Sequence, residues 1–247
     1  VLLGLSALWL LAEAQTLGQA EGFFTWRNLL VRYTGILAIG TMSAALVLAA
    51  RPSRLEDRLH GLDRMYRLHR WLGIAGLVMA VAHWLCVQTP IWLLQADLLP
   101  RATPGRRALE THELFRLVPG QRALLEHIGA VAYHVAVLLI LLALVRRFPY
   151  RHFYRAHRWL AAVYLMLMLH SVGLMEQGYW STALGAAMTV LLLSASAAAV
   201  ISLLRRVGAD RKAIGVVERV DRLDGVHVGA VHVLLESRWA GHVAGQF

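Results

Sequence analysis

The sequence has one cysteine, Cys86, in 247 residues. An intrachain disulfide is therefore excluded, and so is covalent attachment of a prosthetic group through Cys-x-x-Cys-His. Lysine is almost absent: Lys212 is the exception among 25 basic residues, the rest being arginine. Charge of either sign is scarce, at 16% of residues against 58% hydrophobic, and the mean hydropathy is +0.54. Such a composition excludes an ordinary soluble domain and points to a multi-pass membrane protein. The net charge of +10 could mark a nucleic-acid binder. Here the arginines sit between apolar segments, so a lipid bilayer is the expected partner and no nucleic acid is. The chain opens on Val1 rather than methionine and stops at Phe247 inside what reads as a strand. A piece of a longer protein is therefore expected, and a signal peptide cannot be judged.

Apolar runs of about 20 residues, the length that crosses a bilayer, recur along the chain. The sequence predicts six spans: Leu2–Leu17, Leu29–Ala50, His69–Ile91, Leu124–Val145, His157–Leu174 and Ser181–Leu204. Gly18–Asn28 reads as a loop and Trp92–Leu99 as a short interfacial segment. Pro100–Gln121 is a polar connection carrying Glu110, His112 and Glu113, which read as a solvated face rather than an iron site. Arginines cluster in Arg51–Arg70, in Arg146–Arg158 and after span six. With six spans all three clusters fall on one side, which the positive-inside rule makes cytoplasmic. Residues 1–212 form the membrane domain in this reading. Residues 213–247 change texture, with strand-like runs at Ala213–Val220 and Val226–Glu236 around a turn at Asp224-Gly225.

A repeat organises the membrane domain. Tyr66–Leu72 and Tyr154–Leu160 both read Y-R-x-H-R-W-L, and each opens an apolar span with a second histidine near its far end. His69 and His83 are 14 residues apart, and His157 and His170 are 13 apart. At 1.5 Å per residue both separations are roughly 20 Å, so His69 matches His157 in depth and His83 matches His170. Each pair can supply two axial imidazoles to one haem iron, and with a single cysteine the haems would be b-type. Four histidines at two matched depths are hard to explain as core packing, since polar groups in lipid are costly. The phase is less regular. Fourteen residues nearly close four turns, but 13 fall about 140° short, so span five is distorted or its histidines reach their partners differently. His152 rivals His157 on phase alone; the repeat favours His157.

Arg70 and Arg158, with Arg67 and Arg155, suit the propionates of an inner haem, although topology alone also calls for arginine there. Arg32 lies near the outer end of span two, where topology does not call for it, and is a candidate for an outer propionate or an anionic substrate. His127 and His134 lie on span four. A packing hydrogen bond is the reading for His134, and a place near the outer acceptor is open to His127. Tyr164, midway along span five, reads as packing or as an aromatic between the haems.

The paired spacings, the six spans and their order resemble the ferric reductase and NADPH oxidase superfamily of transmembrane haem proteins. Trp239–Phe247, WAGHVAGQF, resembles the start of a ferredoxin-reductase-type flavin domain. The resemblance implies an all-α six-helix transmembrane bundle holding two stacked b haems, followed by the first strands of a β-barrel FAD-binding domain. It implies an oxidoreductase of the cell (inner) membrane, with electrons passing from cytoplasmic NAD(P)H through FAD and the two haems to external ferric chelate or oxygen. The flavin-stacking and nicotinamide motifs of that superfamily lie outside these residues. Val87 stands where oxygen-reducing members often carry a second histidine, which leans toward a bacterial ferric reductase, and Val163 stands where some members place an aromatic. The runner-up is a haem-b electron-transfer subunit fed by quinol or a separate flavoprotein and serving a periplasmic partner. A channel or transporter using histidines as proton relays is the reading from another class, and it predicts a colourless protein.

Overall fold

The structure is a computed structural model that describes residues 1–98, 121–145, 150–209, 212–223, 228–236 and 241. The described residues form a mostly helical membrane part and one small sheet. The helices are α1 (Leu2–Ala12), α2 (Ala14–Gly18), α3 (Gly22–Ala49), α4 (Ser53–Arg58), α5 (Leu62–Gln95), α6 (Gln121–Leu144), α7 (Tyr150–Leu174) and α8 (Ala183–Leu203). A 3-10 turn at Gln177–Ser181 links α7 to α8. Strands β1 (Gly215–Leu223) and β2 (Val228–Leu235) pair antiparallel, from Gly215 opposite Leu235 to Leu223 opposite Val228. Glu218 is the extra residue of a bulge, where the register shifts between Val217 and Arg219. Most of the valines on these strands are exposed. The turn expected at Asp224-Gly225 lies outside the described residues, as do the connection carrying Glu110, His112 and Glu113 and all of Trp239–Phe247 but Gly241.

Among the described residues four helices are long and apolar enough to cross a membrane: α3, α5, α6 and α8. Two expected spans differ from that description. The first is broken at Glu13 into α1 and α2, because its carboxylate is drawn inward and is only 3% exposed. The fifth, in α7, has 25 residues, but its first turns carry Arg151, Arg155 and Arg158. The segment expected to loop at Gly18–Asn28 is mostly helix, since α3 starts at Gly22. The break there is short, with Glu21 extended and Gly22 at a φ of +75°, a left-handed angle that suits glycine.

Helix α5 is also longer than the apolar run suggests. Its 34 residues span about 51 Å, well past a hydrocarbon core of about 30 Å. The surplus at its start carries Arg64, Arg67 and Arg70 beyond the apolar part. Gly61 at a φ of +112° sets the turn before it. At the other end Pro90 sits inside the helix. Proline has no N–H for the carbonyl of Cys86 and would ordinarily break the helix. Arg27 on α3 compensates: its Nε donates to the Cys86 carbonyl at 3.0 Å and an Nη to the Val87 carbonyl at 3.3 Å.

Two antiparallel hairpins result. Helix α3 packs along α5, and α6 packs along α7, while α8 lies against α3 and α7 and α1 closes on α3 and α8. The shared core contains Leu5, Trp9, Ile36, Leu37, Tyr164, Met188, Ala195 and Ala199. Small residues allow this closeness. A Cβ on Gly40 would lie 2.3 Å from the Leu5 side chain. Tyr164, 2% exposed, shares a 2.8 Å hydrogen bond with Ser43 and ties α7 to α3. Val163 is buried among Ala132 and Ala136 of α6.

Candidate functional site

The four paired histidines lie on the second helix of each hairpin, and backbone carbonyls of the first helix hold three of the four imidazoles. The Nδ1 atom of His69 is 2.8 Å from the carbonyl of Ala45, and that of His83 is 2.9 Å from the carbonyl of Val31; both carbonyls belong to α3. In the other hairpin, Nδ1 of His170 is 2.8 Å from the carbonyl of Leu125 on α6. A carbonyl can only accept, so Nδ1 must be the donor in all three, and the proton is assigned to it by its partner. Nε2 is then a free lone pair. This is the tautomer of a metal-bound imidazole with its outer-shell hydrogen bond in place. His157 is held differently. Its Nδ1 is buried with no hydrogen-bond partner, and its ring stacks on Phe153 at 5.1 Å and 16°.

The four rings meet as two pairs. The centroids of His69 and His157 are 5.8 Å apart with the planes at 76°, and those of His83 and His170 are 6.5 Å apart at 84°. The structure thus brings together the residues matched by depth in the sequence. Helix α7 is unbroken across both histidines, so the phase mismatch of the 13-residue spacing shows as a difference in how each ring is held. The side chain of His152, the rival on phase, lies outside what is described.

The pairs fit an iron in a porphyrin. An imidazole nitrogen binds a first-row metal at about 2 Å with the ring centre roughly 1 Å behind, so the two rings of each pair, 5.8 and 6.5 Å apart, would have room to share one iron between them. Among the described residues no group of three or more His, Cys, Asp or Glu converges. Two imidazoles are too few for a bare ion, which takes about four donors, and match an iron whose equatorial ligands come from a macrocycle.

Glycine makes room for the outer pair, and the sequence reading passed it over. A Cβ on Gly35 would lie 3.1 Å from Cε1 and 3.2 Å from Nδ1 of His83. A Cβ on Gly129 would lie 2.2 Å from Nδ1 of His170. Each glycine stands four residues after the accepting carbonyl, Val31 or Leu125, so both hairpins use the same notch one turn on. The signal was present as a mid-helix glycine in each span that precedes a histidine span. Arg27 opposite Pro90 was missed as well; a proline inside an apolar run asks which side chain meets the freed carbonyl.

The arginines divide by end. Arg67, Arg70 and Arg155 are exposed and Arg158 is half-buried, at the end that carries His69 and His157. Arg32 is committed within the protein. It pairs with Glu13 at 3.0 Å and with Glu176, and Tyr179 donates to the same Glu13 carboxylate. Burial and that acid raise the Tyr179 hydroxyl well above the ordinary phenol range. An anion at Arg32 would have to displace one of the two carboxylates. His127 is exposed on α6, beside the Arg122–Glu126 pair at 2.9 Å. His134 is exposed, with Nδ1 2.7 Å from the carbonyl of Ala130 in its own helix.

No curated protein matches the chain. A family profile described as "Ferric reductase like transmembrane component" matches residues 34–168. That stretch runs from the Thr34-Gly35 notch through His69, His83 and His157 to within two residues of His170, and it covers more than half of the chain. A multi-pass membrane protein built on paired intramembrane histidines, the chain belongs to the ferric reductase-like transmembrane family and with it to the transmembrane oxidoreductases.

Proposed function

We propose that His69 with His157 and His83 with His170 each hold one b haem, and that the chain carries electrons across the membrane between them. When bound, the two haems supply one-electron redox chemistry at two depths. The chain's own residues do the rest. The carbonyls of Ala45, Val31 and Leu125 fix three imidazoles with Nε2 free, which sets their orientation and raises their basicity as ligands. Gly35 and Gly129 let the outer imidazoles sit close against the neighbouring helix. Arg70 and Arg158 are offered to the propionates of the inner group, and Arg32 to an outer anion by exchange with its carboxylates. Four long apolar helices, α7 and the broken first segment together make the six spans of this reading. It puts the arginine clusters in the cytoplasm and the outer pair toward the far side of the cell membrane.

In the full reading, residues 213–247 begin a cytoplasmic flavin domain, and electrons come from NAD(P)H by way of FAD. They leave to an external acceptor, ferric chelate or oxygen. The observation that carries the proposal is the pair of ring–ring separations near 6 Å, with three of the four Nδ1 atoms on backbone carbonyls. His83→Ala or His170→Ala is expected to lower haem content from two to one per chain and leave the inner group in the spectrum. Two haems per chain in either variant would refute the ligand assignment. In the full-length protein, ferric-chelate reduction compared with dismutase-sensitive superoxide formation chooses the acceptor.

A further inference from the structure

Helices α3, α4, α5 and α8 leave an apolar groove of about 200 Å³ at the end of the bundle that carries His69. Leu48 of α3, Leu55 of α4, Leu68 and Leu72 of α5, and Leu191 and Ser194 of α8 line it. Ser194 is the polar member, and its hydroxyl is returned to its own helix, donating to the Val190 carbonyl at 2.7 Å. The lining is thus hydrocarbon in all but a hydroxyl already engaged. A water's share of volume is about 30 Å³, so there is room for several methylenes.

Three of the wall elements carry an arginine one turn from a groove leucine. Arg51 follows Leu48 and its N–H donates to the Leu48 carbonyl at 3.0 Å. Arg58 stands one turn after Leu55 on α4, and Arg64 one turn before Leu68 on α5. Residues four apart are neighbours on a helix, so Arg64, Leu68 and Leu72 form one stripe. Over about 12 Å that stripe passes from an exposed arginine to a buried leucine. Arg58 is exposed, and the half-buried Arg51 lies over the Tyr66 ring at 5.3 Å. Tyr66 and Trp71 are themselves exposed, as amphipathic rings at headgroup level are. The groove leucines of α5 therefore begin at that level and run beneath it, with Arg64 above. From Arg51 to Arg67 the sequence carries five arginines against Glu56, Asp57 and Asp63, and Glu56 is buried. The rim thus favours an anion, and the guanidinium fork matches phosphate oxygens. Hydrocarbon below and an anion above describe an amphiphile, and in a bilayer that amphiphile is a phospholipid.

We propose that this groove holds one acyl chain of an anionic phospholipid, whose phosphate lies on Arg58 and Arg64, in the leaflet on the arginine side. The site requires that α3, α5 and α8 lie in the bilayer, and it does not depend on the haem assignment. Leu68 immediately precedes His69, so the bound chain packs on the helical turn that presents that imidazole.

The test uses the full chain in phosphatidylcholine nanodiscs with its haem content recorded. A phosphatidylglycerol carrying a diazirine midway along one acyl chain is photolysed in them, and the labelled peptides are identified by mass spectrometry. Label is expected within residues 44–48, 68–72 or 191–194, and unlabelled phosphatidylglycerol competes for it while added phosphatidylcholine does not. Arg58→Gln and Arg64→Gln should each raise the phosphatidylglycerol fraction needed for half competition about fivefold, the value of one basic side chain at an anionic surface. Arg155→Gln removes the same charge from α7, which does not line the groove, and should stay within about twofold of the parent. Ser194→Phe fills the groove and should remove the label there; the exposed arginine variants serve if it does not fold. Label spread over all lipid-facing positions would overturn the proposal, as would label that persists in Ser194→Phe. Equal competition by phosphatidylcholine, or arginine variants no weaker than Arg155→Gln, would reduce the groove to unselective hydrocarbon contact and overturn it too. Cross-links between two copies through these residues would assign the groove to a second chain instead.

Discussion

Replacing Gly129 with alanine tests how closely the outer imidazole is seated. The new Cβ would lie 2.2 Å from Nδ1, 2.5 Å from Cε1 and 2.6 Å from Cγ of His170. All three are far inside van der Waals contact, so the ring must retreat by about 1 Å or the helices must part. Overpacking of this kind costs about 1–3 kcal/mol, and a retreating ring also gives up its 2.8 Å bond to Leu125, worth about 1 kcal/mol. Alanine returns about 1 kcal/mol of helix propensity, so the stability loss is modest. The cost falls on the ligand, where loss of an outer-shell partner weakens metal affinity about 10–100-fold. Gly35→Ala is the internal control. Its Cβ would stand 3.1 Å from the His83 ring, a contact relieved by a few tenths of an ångström. Haem per chain, measured as the pyridine haemochrome after dilution and washing, should fall toward one in Gly129→Ala and stay near two in Gly35→Ala. Equal retention in both variants would refute the reasoning.

Arg27→Leu should destabilise the detergent-solubilised protein by about 1–3 kcal/mol, because the Cys86 carbonyl freed by Pro90 loses its donor. In a Pro90→Ala background a helical N–H returns to that carbonyl, and a double-mutant cycle on chemical unfolding should show the penalty shrinking by about 1 kcal/mol. Tyr179→Phe removes a donor from the nearly buried Glu13 carboxylate. It should cost about 1–3 kcal/mol and speed proteolysis near Glu13, while haem content stays unchanged. His69→Ala and His157→Ala should give one spectrum in common, that of the remaining outer group. Different spectra would mean that the inner pair is misassigned.

The matched histidine depths were legible in the sequence because 14 and 13 residues at a fixed rise give the same length. What holds the rings was not. Val31, Ala45 and Leu125 act through backbone carbonyls, which no side-chain pattern records, and Gly35 and Gly129 act by lacking a side chain. The phase problem at His157 and His170 came from treating a ring as lying along its Cα direction. A long side chain reaches across a gap, and the two rings of α7 are held in different ways. The break of the first span at Glu13 depended on Arg32, Glu176 and Tyr179, which are 19 to 166 positions away. The continuation of α5 through Pro90 likewise depended on Arg27 from another helix. Arg32 stood out as an arginine at the wrong end, but its carboxylate partners lie on segments that read as a span end and a tight connection.

Two histidine pairs that hold two b haems in one membrane domain would leave a direct spectroscopic signature. The direct measurement is the dithionite-reduced minus oxidised spectrum of the purified full chain, with iron and protein quantified in the same sample. Two haems per chain and the sharp α band of bis-histidine b haem are the expected result. A colourless protein, or two haems per chain that survive alanine at both His83 and His170, would contradict it.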